Sequence, residues 1–381
     1  MQRVLIIGGC GRIGSNIAKD ILAHTDAAVT ITGRSPQQGL AVQQRLGSRV
    51  EFHPLDLGSP PELQAAVAQA DLVVHSAGPF HYRDAQVLHT CIEQKVNYTD
   101  VSDERSFTRK ALALHPEAEA AGVTAVINSG VFPGISNSMV RQGVEALDEA
   151  TSIQLSYIVA GSGGAGVTVM RTTFIGLQHP FDAWLDGRWQ SVKPYTARET
   201  LEFPAPYGRA SVYWYDMPEA ITLQQTFPVS SVITKFGVVP GFYNHATRAM
   251  AHWLPPRVLR HRQTVEFLAQ VSHAMTDVTD RFSGTGVAMR CDIWGQQEGI
   301  DSHYVSTFAH DSAAIATGLG TGSIAELLLN GTLRCPGVHP VEQALSTDLF
   351  AAAMAARQLT IHQTLQRGTA DSQQSETLGP R

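Results

Sequence analysis

Cysteine is scarce and scattered: four residues, Cys10, Cys91, Cys291 and Cys335, are spread over 381 positions. None falls at the close spacing of a metal site or a redox pair, so neither a metal centre nor a disulfide framework is expected. They read as free thiols of a reducing compartment. Long apolar runs are also lacking, since none reaches the roughly 18–20 residues that cross a bilayer. Strand-like residues begin at Arg3, leaving no room for a cleavable leader, and a cytoplasmic location is expected. Excess positive charge is missing too. The net charge of -6 offers no general attraction to nucleic acid or an anionic membrane. What remains is an ordinary globular composition, 43% hydrophobic and 16% charged, long enough for about two domains.

The richest signal is N-terminal. The apolar run Arg3–Ile7 passes directly into Gly8-Gly9-Cys10-Gly11-Arg12-Ile13-Gly14, and Ile13, Ile17, Ile21 and Leu22 then share a helical face. Strand, G-x-G-x-x-G and helix stand in the order of a dinucleotide site. Gly9 allows the tight turn, Gly11 lets the backbone approach a pyrophosphate, and Gly14 lets helix and sheet pack closely. Free N–H groups at the helix start then face the phosphates. Cys10 suits the loop by its small size.

Further strands are expected at Ala28–Gly33, Arg49–His53, Leu72–Ser76, Val96–Thr99 and Thr124–Asn128, with helical patterns between them. This alternation predicts a doubly wound parallel sheet of the Rossmann class in the order 3-2-1-4-5-6, with ligands beyond the carboxyl ends of the strands. The domain is expected to span 1–135. Residues 136–335 read as an inserted α+β substrate domain. It has a strand at Ser152–Val159, a glycine cluster at Gly161–Gly166, a helix at Val167–Leu177, strands at Leu201–Phe203 and Ser211–Tyr215, and a long helix at Val258–Phe282. A strand pair at Met289–Trp294 and His303–Ala309 follows, then a glycine-bearing helix at Ser312–Leu329. Residues 336–366, with an apolar helix over Pro340–Thr360, are expected to return to the first domain, and 367–381 to form a disordered tail.

The end of the second strand speaks to the cofactor. NAD sites place an acid there to bond the ribose 2′-hydroxyl. Here Gly33-Arg34-Ser35 carries none. Arg34 can pair with a 2′-phosphate and Ser35 can donate a hydroxyl, so NADP(H) is expected over NAD, and over FAD for the same reason. Asp56 has two readings, a contact to the adenine amino group or a helix cap. Ser76-Ala77-Gly78-Pro79 should lie against the ribose and pyrophosphate on the nicotinamide side.

Four segments together, the glycine loop, His75-Ser76-Ala77-Gly78-Pro79-Phe80, Val96-Asn97-Tyr98-Thr99-Asp100 and Gly130-x-x-Pro133-Gly134-x-Ser136-Asn137, resemble the saccharopine dehydrogenase (saccharopine reductase-like) family. Pro336–Glu342 is similar to that family's proline-glycine element. The resemblance implies a Rossmann domain, an inserted substrate domain, C-terminal helices returning to the first domain, and NAD(P)-linked hydride transfer at an imine or amine carbon. The family also includes lipid enoyl reductases, so an enoyl or carbonyl group on a hydrophobic molecule is the alternative substrate. A non-catalytic NADP(H)-binding sensor is the third reading. A homodimer through the second-domain sheet is expected, with peripheral membrane contact near Trp253–Arg262 as a further option.

Catalytic groups belong past strands four to six, where Tyr98, Asp100 and Asp103 are the nearest titratable candidates. Either Asp can move a proton, and either can cap the helix near Arg105. Asn128, Ser129 and the loop through Gly134 to Asn137 offer groups for a carboxamide or carboxylate. Arg171, after the second glycine cluster, is a candidate carboxylate clamp. Basic residues are few in that domain, which argues against a substrate with several carboxylates.

Overall fold

The structure is a computed structural model that describes residues 1–161, 167–253, 261–283, 285–368 and 374–377. It divides into two compact units, one of residues 1–135 with 314–346 and one of residues 136–313 with 347–381.

The first unit is the expected doubly wound sheet. Its strands are β1 (Arg3–Ile7), β2 (Ala28–Gly33), β3 (Val50–Pro54), β4 (Leu72–His75), β5 (Asn97–Asp100) and β6 (Thr124–Ile127). Between them run α1 (Arg12–His24), α2 (Pro36–Leu46), α3 (Pro60–Val67), α4 (Gln86–Gln94), α5 (Arg105–Ala113) and α6 (His115–Ala121). The stretch Arg105–Ala121, one continuous helical pattern in the sequence, is two helices. Leu114 caps the first, and Pro116 sits at the start of the second, where a missing N–H costs nothing.

The order is β6-β5-β4-β1-β2-β3, extended at the β6 edge by a seventh strand, Gly337–Pro340, which pairs parallel with β6. Apolar β-branched runs such as Val4–Ile7 and Leu72–Val74 are buried, as strands covered on both faces must be. One core cluster joins Leu5, Ile7, Val73, Leu88, Tyr98, Phe107 and Ile127. Helix Ala313–Leu329 is grouped with this unit from Ala314 on. A Cβ on Gly318 would lie 2.7 Å from Asn16 Cβ, and one on Gly322 would lie 2.8 Å from Asp20 Cβ. Glycine lets this helix lie directly on α1.

The second unit opens with α7 (Ile135–Glu145), grouped here from Ser136, and is built on a mixed sheet. Its central strands are β7 (Glu149–Ala160), β12 (Ser231–Val239), β13 (Gly286–Gln297) and β14 (Ile300–His310). Shorter strands β8 (Phe181–Leu185), β9 (Arg188–Val192), β10 (Glu199–Phe203) and β11 (Gly208–Trp214) flank them. β12 runs parallel to β7, β13 antiparallel to β7, and β14 pairs antiparallel with β13. Long helices cover Val167–Gly176, Phe242–Trp253 and Arg262–Ser283.

The unit boundaries differ from those read in the sequence. The expected helix over Pro340–Thr360 is interrupted at Leu345-Ser346. Val341–Ala344 stays with the first unit, and Thr347–Ala356, with Asp348 in its first turn, belongs to the second. That helix therefore is not part of a segment returning to the first unit. The stretch expected to lead into a loose tail instead forms strand His362–Arg367, paired with β14, and Gln374–Thr377 pairs with that strand. Residues 369–373 and 378–381 of the tail lie outside the described residues, as do Gly163, Gly164 and Gly166 and most of Trp253–Arg262. Among the described residues, no helix is long and apolar enough to cross a membrane.

Candidate functional site

The glycine loop closes by its own backbone. Gly9 N–H donates to Ile6 O at 3.1 Å, Gly11 N–H to Gly8 O at 2.9 Å, and Ser15 N–H to Gly11 O at 2.9 Å. The positive φ falls on Gly8 (81°) rather than Gly9, so Gly8 makes the turn, and only glycine adopts that region freely. Gly9 is required by space instead, because a Cβ there would lie 2.7 Å from Ile31 on β2. A Cβ on Gly14 would collide with Gly8 O and lie 2.7 Å from both Gly9 Cα and Ser76 Oγ. Gly11 differs: a Cβ there meets only Gly8 O, at 3.2 Å, and Gly11 is exposed with ordinary extended backbone. The protein itself barely requires glycine at 11. A ligand lying against the loop does, and a pyrophosphate at the start of α1 fits that demand.

Neighbouring elements hold the loop. Ser76 Oγ donates to Ile7 O at 2.9 Å, Thr32 Oγ1 accepts from Gly8 N–H at 3.2 Å, and Gln38 Nε2 donates to Cys10 O at 3.1 Å. Burial raises the Cys10 thiol pKa, which suits a space-filler rather than a nucleophile. Arg12 and Ile13 occupy the first turn of α1, with Arg12 exposed. Arg34 is exposed just past β2. Ser35 is the N-cap of α2, its hydroxyl accepting from Gln38 N–H at 3.4 Å. Asp56 Oδ1 accepts from Gly58 N–H at 2.9 Å. It therefore makes a local turn, and the cap position of α3 falls to Ser59.

Sequence reasoning missed Arg83. It follows a short 3-10 turn, Phe80–Tyr82, and its Nε–H donates to Ala77 O at 3.0 Å. It is partly buried. Burial and the charge of Arg34 lower its pKa, while Asp84 and Asp56 pull it back. The signal was present, since Arg83 is the first cation after the Ser76–Pro79 segment.

The catalytic candidates separate by exposure. Tyr98 and Asp100 are fully buried. Asp100 Oδ1 accepts from Ser102 N–H and Asn128 N–H, both at 3.0 Å, tying the ends of β5 and β6 together. Burial raises its pKa to about 6 against those two bonds and the Tyr98 phenol. Tyr98 is raised far above its ordinary value by burial and then by Asp100. His75 packs 5.0 Å from Phe80 by ring centroids, and burial lowers its pKa to about 3, so it stays neutral. The helix cap expected of Asp100 or Asp103 belongs to Glu104, which accepts from Phe107 N–H at 2.7 Å. Asp103 is partly exposed. Burial raises its pKa to about 6, its own N–H lowers it, and Glu104 raises it. Of the three candidates, Asp103 alone is both accessible and titratable near neutrality.

The substrate candidates fare differently. Ser129 is buried, and its hydroxyl donates to Asp100 O at 2.8 Å. Gly134 has φ 139°, and a Cβ on it would strike Gly130 O. Asn137 is buried, with Oδ1 accepting from Ser136 Oγ at 3.0 Å. These residues build the turn into α7 and do not present open donors. Arg171 is bidentate to Glu266, with Nε at 2.6 Å and a terminal nitrogen at 2.7 Å. A carboxylate of the protein thus already occupies the fork expected for a substrate.

Residues 4–126 match the family model of the saccharopine dehydrogenase NADP binding domain. Over its whole length the chain is similar in fold to the saccharopine dehydrogenase (L-Glu forming) of Saccharomyces cerevisiae, with a TM-score of 0.71, 14% identity, and 100% of both chains covered. It is 24% identical over 205 residues to a Mycobacterium tuberculosis protein provisionally named a trans-acting enoyl reductase, covering 50% of this chain and 48% of that one. It is 28% identical over 132 residues to the trans-acting enoyl reductase of Mycobacterium ulcerans, covering 33% and 32%. The chain thus spans about half the length or less of the curated relatives it matches. With the loop and the strand order in agreement, residues 4–126 are similar to a saccharopine dehydrogenase NADP binding domain, and the whole chain has a fold similar to that of the yeast dehydrogenase.

Proposed function

We propose that this protein is an NADP(H)-dependent oxidoreductase that transfers hydride between the nicotinamide and a small molecule. The observation that carries the reading is the loop at Gly11, where an added Cβ would meet Gly8 O alone, at 3.2 Å, while Gly8, Gly9 and Gly14 are crowded more closely by protein. Arg12, Ile13 and Gly14 would present the helix start to the phosphates. Ser76–Pro79 would back the nicotinamide side, and Arg34 and Ser35 would meet the 2′-phosphate. NADPH, when bound, supplies the hydride. The protein must then supply a proton to the other end of the reduced bond, and Asp103, partly exposed just past the end of β5, is the group we assign to it. Asp100 and Ser129 act as positioning residues, because they hold the strand ends from which the Asp103 loop springs.

For the substrate, the Arg171–Glu266 pair is the deciding observation. An amino-acid or opine substrate needs cations for its carboxylates, and in this chain the candidate clamp is already neutralised. That favours an enoyl or carbonyl group on a largely uncharged molecule over the imine or amine expected from the family resemblance. A homodimer through the second sheet is supported by the partly exposed Trp294, which stacks on His303 with ring centroids 4.8 Å apart.

The test is NADPH oxidation with an α,β-unsaturated thioester, an aromatic ketone, and a keto acid plus amine, using wild type, Arg34→Ala and Asp103→Asn. Turnover of the thioester or ketone, lost in Asp103→Asn while NADPH still binds, supports the reading. Turnover of the keto acid and amine alone restores the carbon–nitrogen reading. Cofactor binding without turnover of any substrate leaves the sensor reading in front. Arg34→Ala should weaken NADPH binding by about 10–100-fold, the worth of one or two charge-assisted hydrogen bonds.

A further inference from the structure

Arg83 has no part in the site the sequence predicted, yet its surroundings are specific. The bond from Nε–H to Ala77 O fixes the guanidinium beside the loop after β4 and leaves its two terminal amino groups for a ligand. Arg34 emerges at the end of β2, and β1 with its glycine loop lies between β2 and β4 in the sheet. The two arginines therefore flank the loop at the same carboxyl edge. Burial, and after it the charge of Arg34, lower the Arg83 pKa, while Asp84 and Asp56 offset part of that field. Asp56 is itself engaged by Gly58 N–H. Two cations at one edge of the sheet, one of them partly buried, favour an anion between them. Their flat forks match phosphate oxygens bidentately.

We propose that Arg83 is the second arm of a two-arginine clamp, with Arg34, that grips the 2′-phosphate of NADP(H). Choice of NADP over NAD then depends on both arginines and not on the end of β2 alone. The proposal rests on the NADP(H) reading of the site. It makes Arg83 a specificity residue whose loss acts on one cofactor only. A residue that merely propped the Ala77 loop would act on both, because that loop is expected to lie under a part of the molecule common to NADPH and NADH.

The test is titration of the full chain with NADPH and with NADH, followed by intrinsic fluorescence, for wild type, Arg83→Gln and Arg83→Lys. The clamp predicts that Arg83→Gln loses about tenfold or more in NADPH affinity, with NADH affinity unchanged. Arg83→Lys keeps the charge without the fork, recovers part of the loss, and serves as the test should Arg83→Gln not fold. Equal loss for both cofactors, or no loss for either, would overturn the clamp. A wild type that binds NADPH and NADH alike would overturn the NADP(H) preference itself, a failure visible before any variant is made.

Discussion

At the scale of single residues, the glycines of the first loop have different reasons for being glycine. Gly14→Ala pushes a Cβ into Gly8 and Ser76 and should destabilise the first unit by about 3 kcal/mol or more, read as a fall in Tm. Gly11→Ala should fold with a Tm near wild type yet lose NADPH affinity by at least about tenfold, because the added Cβ meets only Gly8 O, at 3.2 Å, within the protein but faces the side where the pyrophosphate would lie. Equal loss of Tm in both variants would refute the distinction. Asp103 and Asp100 also part company here. If Asp103 delivers the proton during reduction, it must be protonated, so kcat/KM should fall as pH rises through about 6, and Asp103→Asn should flatten that profile. Asp100 acts on stability. Its folded pKa of about 6 lies above the ordinary unfolded value of about 3.9. The folded state therefore holds the proton more tightly, and its contribution is full below about pH 4 and lost as pH rises through about 6. Asp100→Asn cannot ionise and should show a shallower loss of stability across that window in urea titrations. The cofactor loop was legible in the sequence because a short contiguous motif encodes it. The partners of Arg171, Ser129 and Asn137 were not, because which atoms are already bonded depends on contacts such as Glu266, 95 positions away.

At the scale of elements, periodicity revealed what is local and missed what is distant. The six strands of the first sheet and their order follow from alternating apolar runs and helices. The seventh strand, Gly337–Pro340, is only four residues long, ends in a proline and follows another, Pro336. Its pairing with β6 comes from tertiary contact alone. The breaks at Leu114 and at Leu345-Ser346 escaped notice because the apolar content runs on across each. Helix Ala313–Leu329 was visible despite its glycines, but their purpose became clear only with α1 beside them. Gly318→Val would place its side chain against Asn16, whose backbone carbon lies 2.8 Å from the added Cβ. Moving backbone apart costs more than turning a side chain. The substitution should lower stability by about 2–3 kcal/mol and loosen the protection of α1 amides in hydrogen exchange. Unchanged protection of α1 would show that the two helices do not depend on each other.

For the whole molecule, the two units differ in what they offer a ligand. The first carries every feature expected of the cofactor site. The second carries a large mixed sheet and three cations that are already paired, Arg171 with Glu266, Arg290 with Asp292 and Lys235 with Glu199. That pattern was hidden in the sequence, where Arg171 looked available. It predicts that small polycarboxylates at millimolar levels neither raise the Tm nor inhibit, whereas NADPH raises the Tm in proportion to its binding. If Trp294 lies in a homodimer interface, Trp294→Arg should shift the mass found by light scattering from dimer to monomer. A wild-type monomer would dismiss that interface. Central to the whole account is a site for NADP(H), and one titration addresses it most directly. Wild-type protein is titrated with NADPH and NADH side by side. The account predicts NADPH to bind at least about tenfold tighter, the worth of the added phosphate contacts. Equal affinities, or no binding of either, would contradict it.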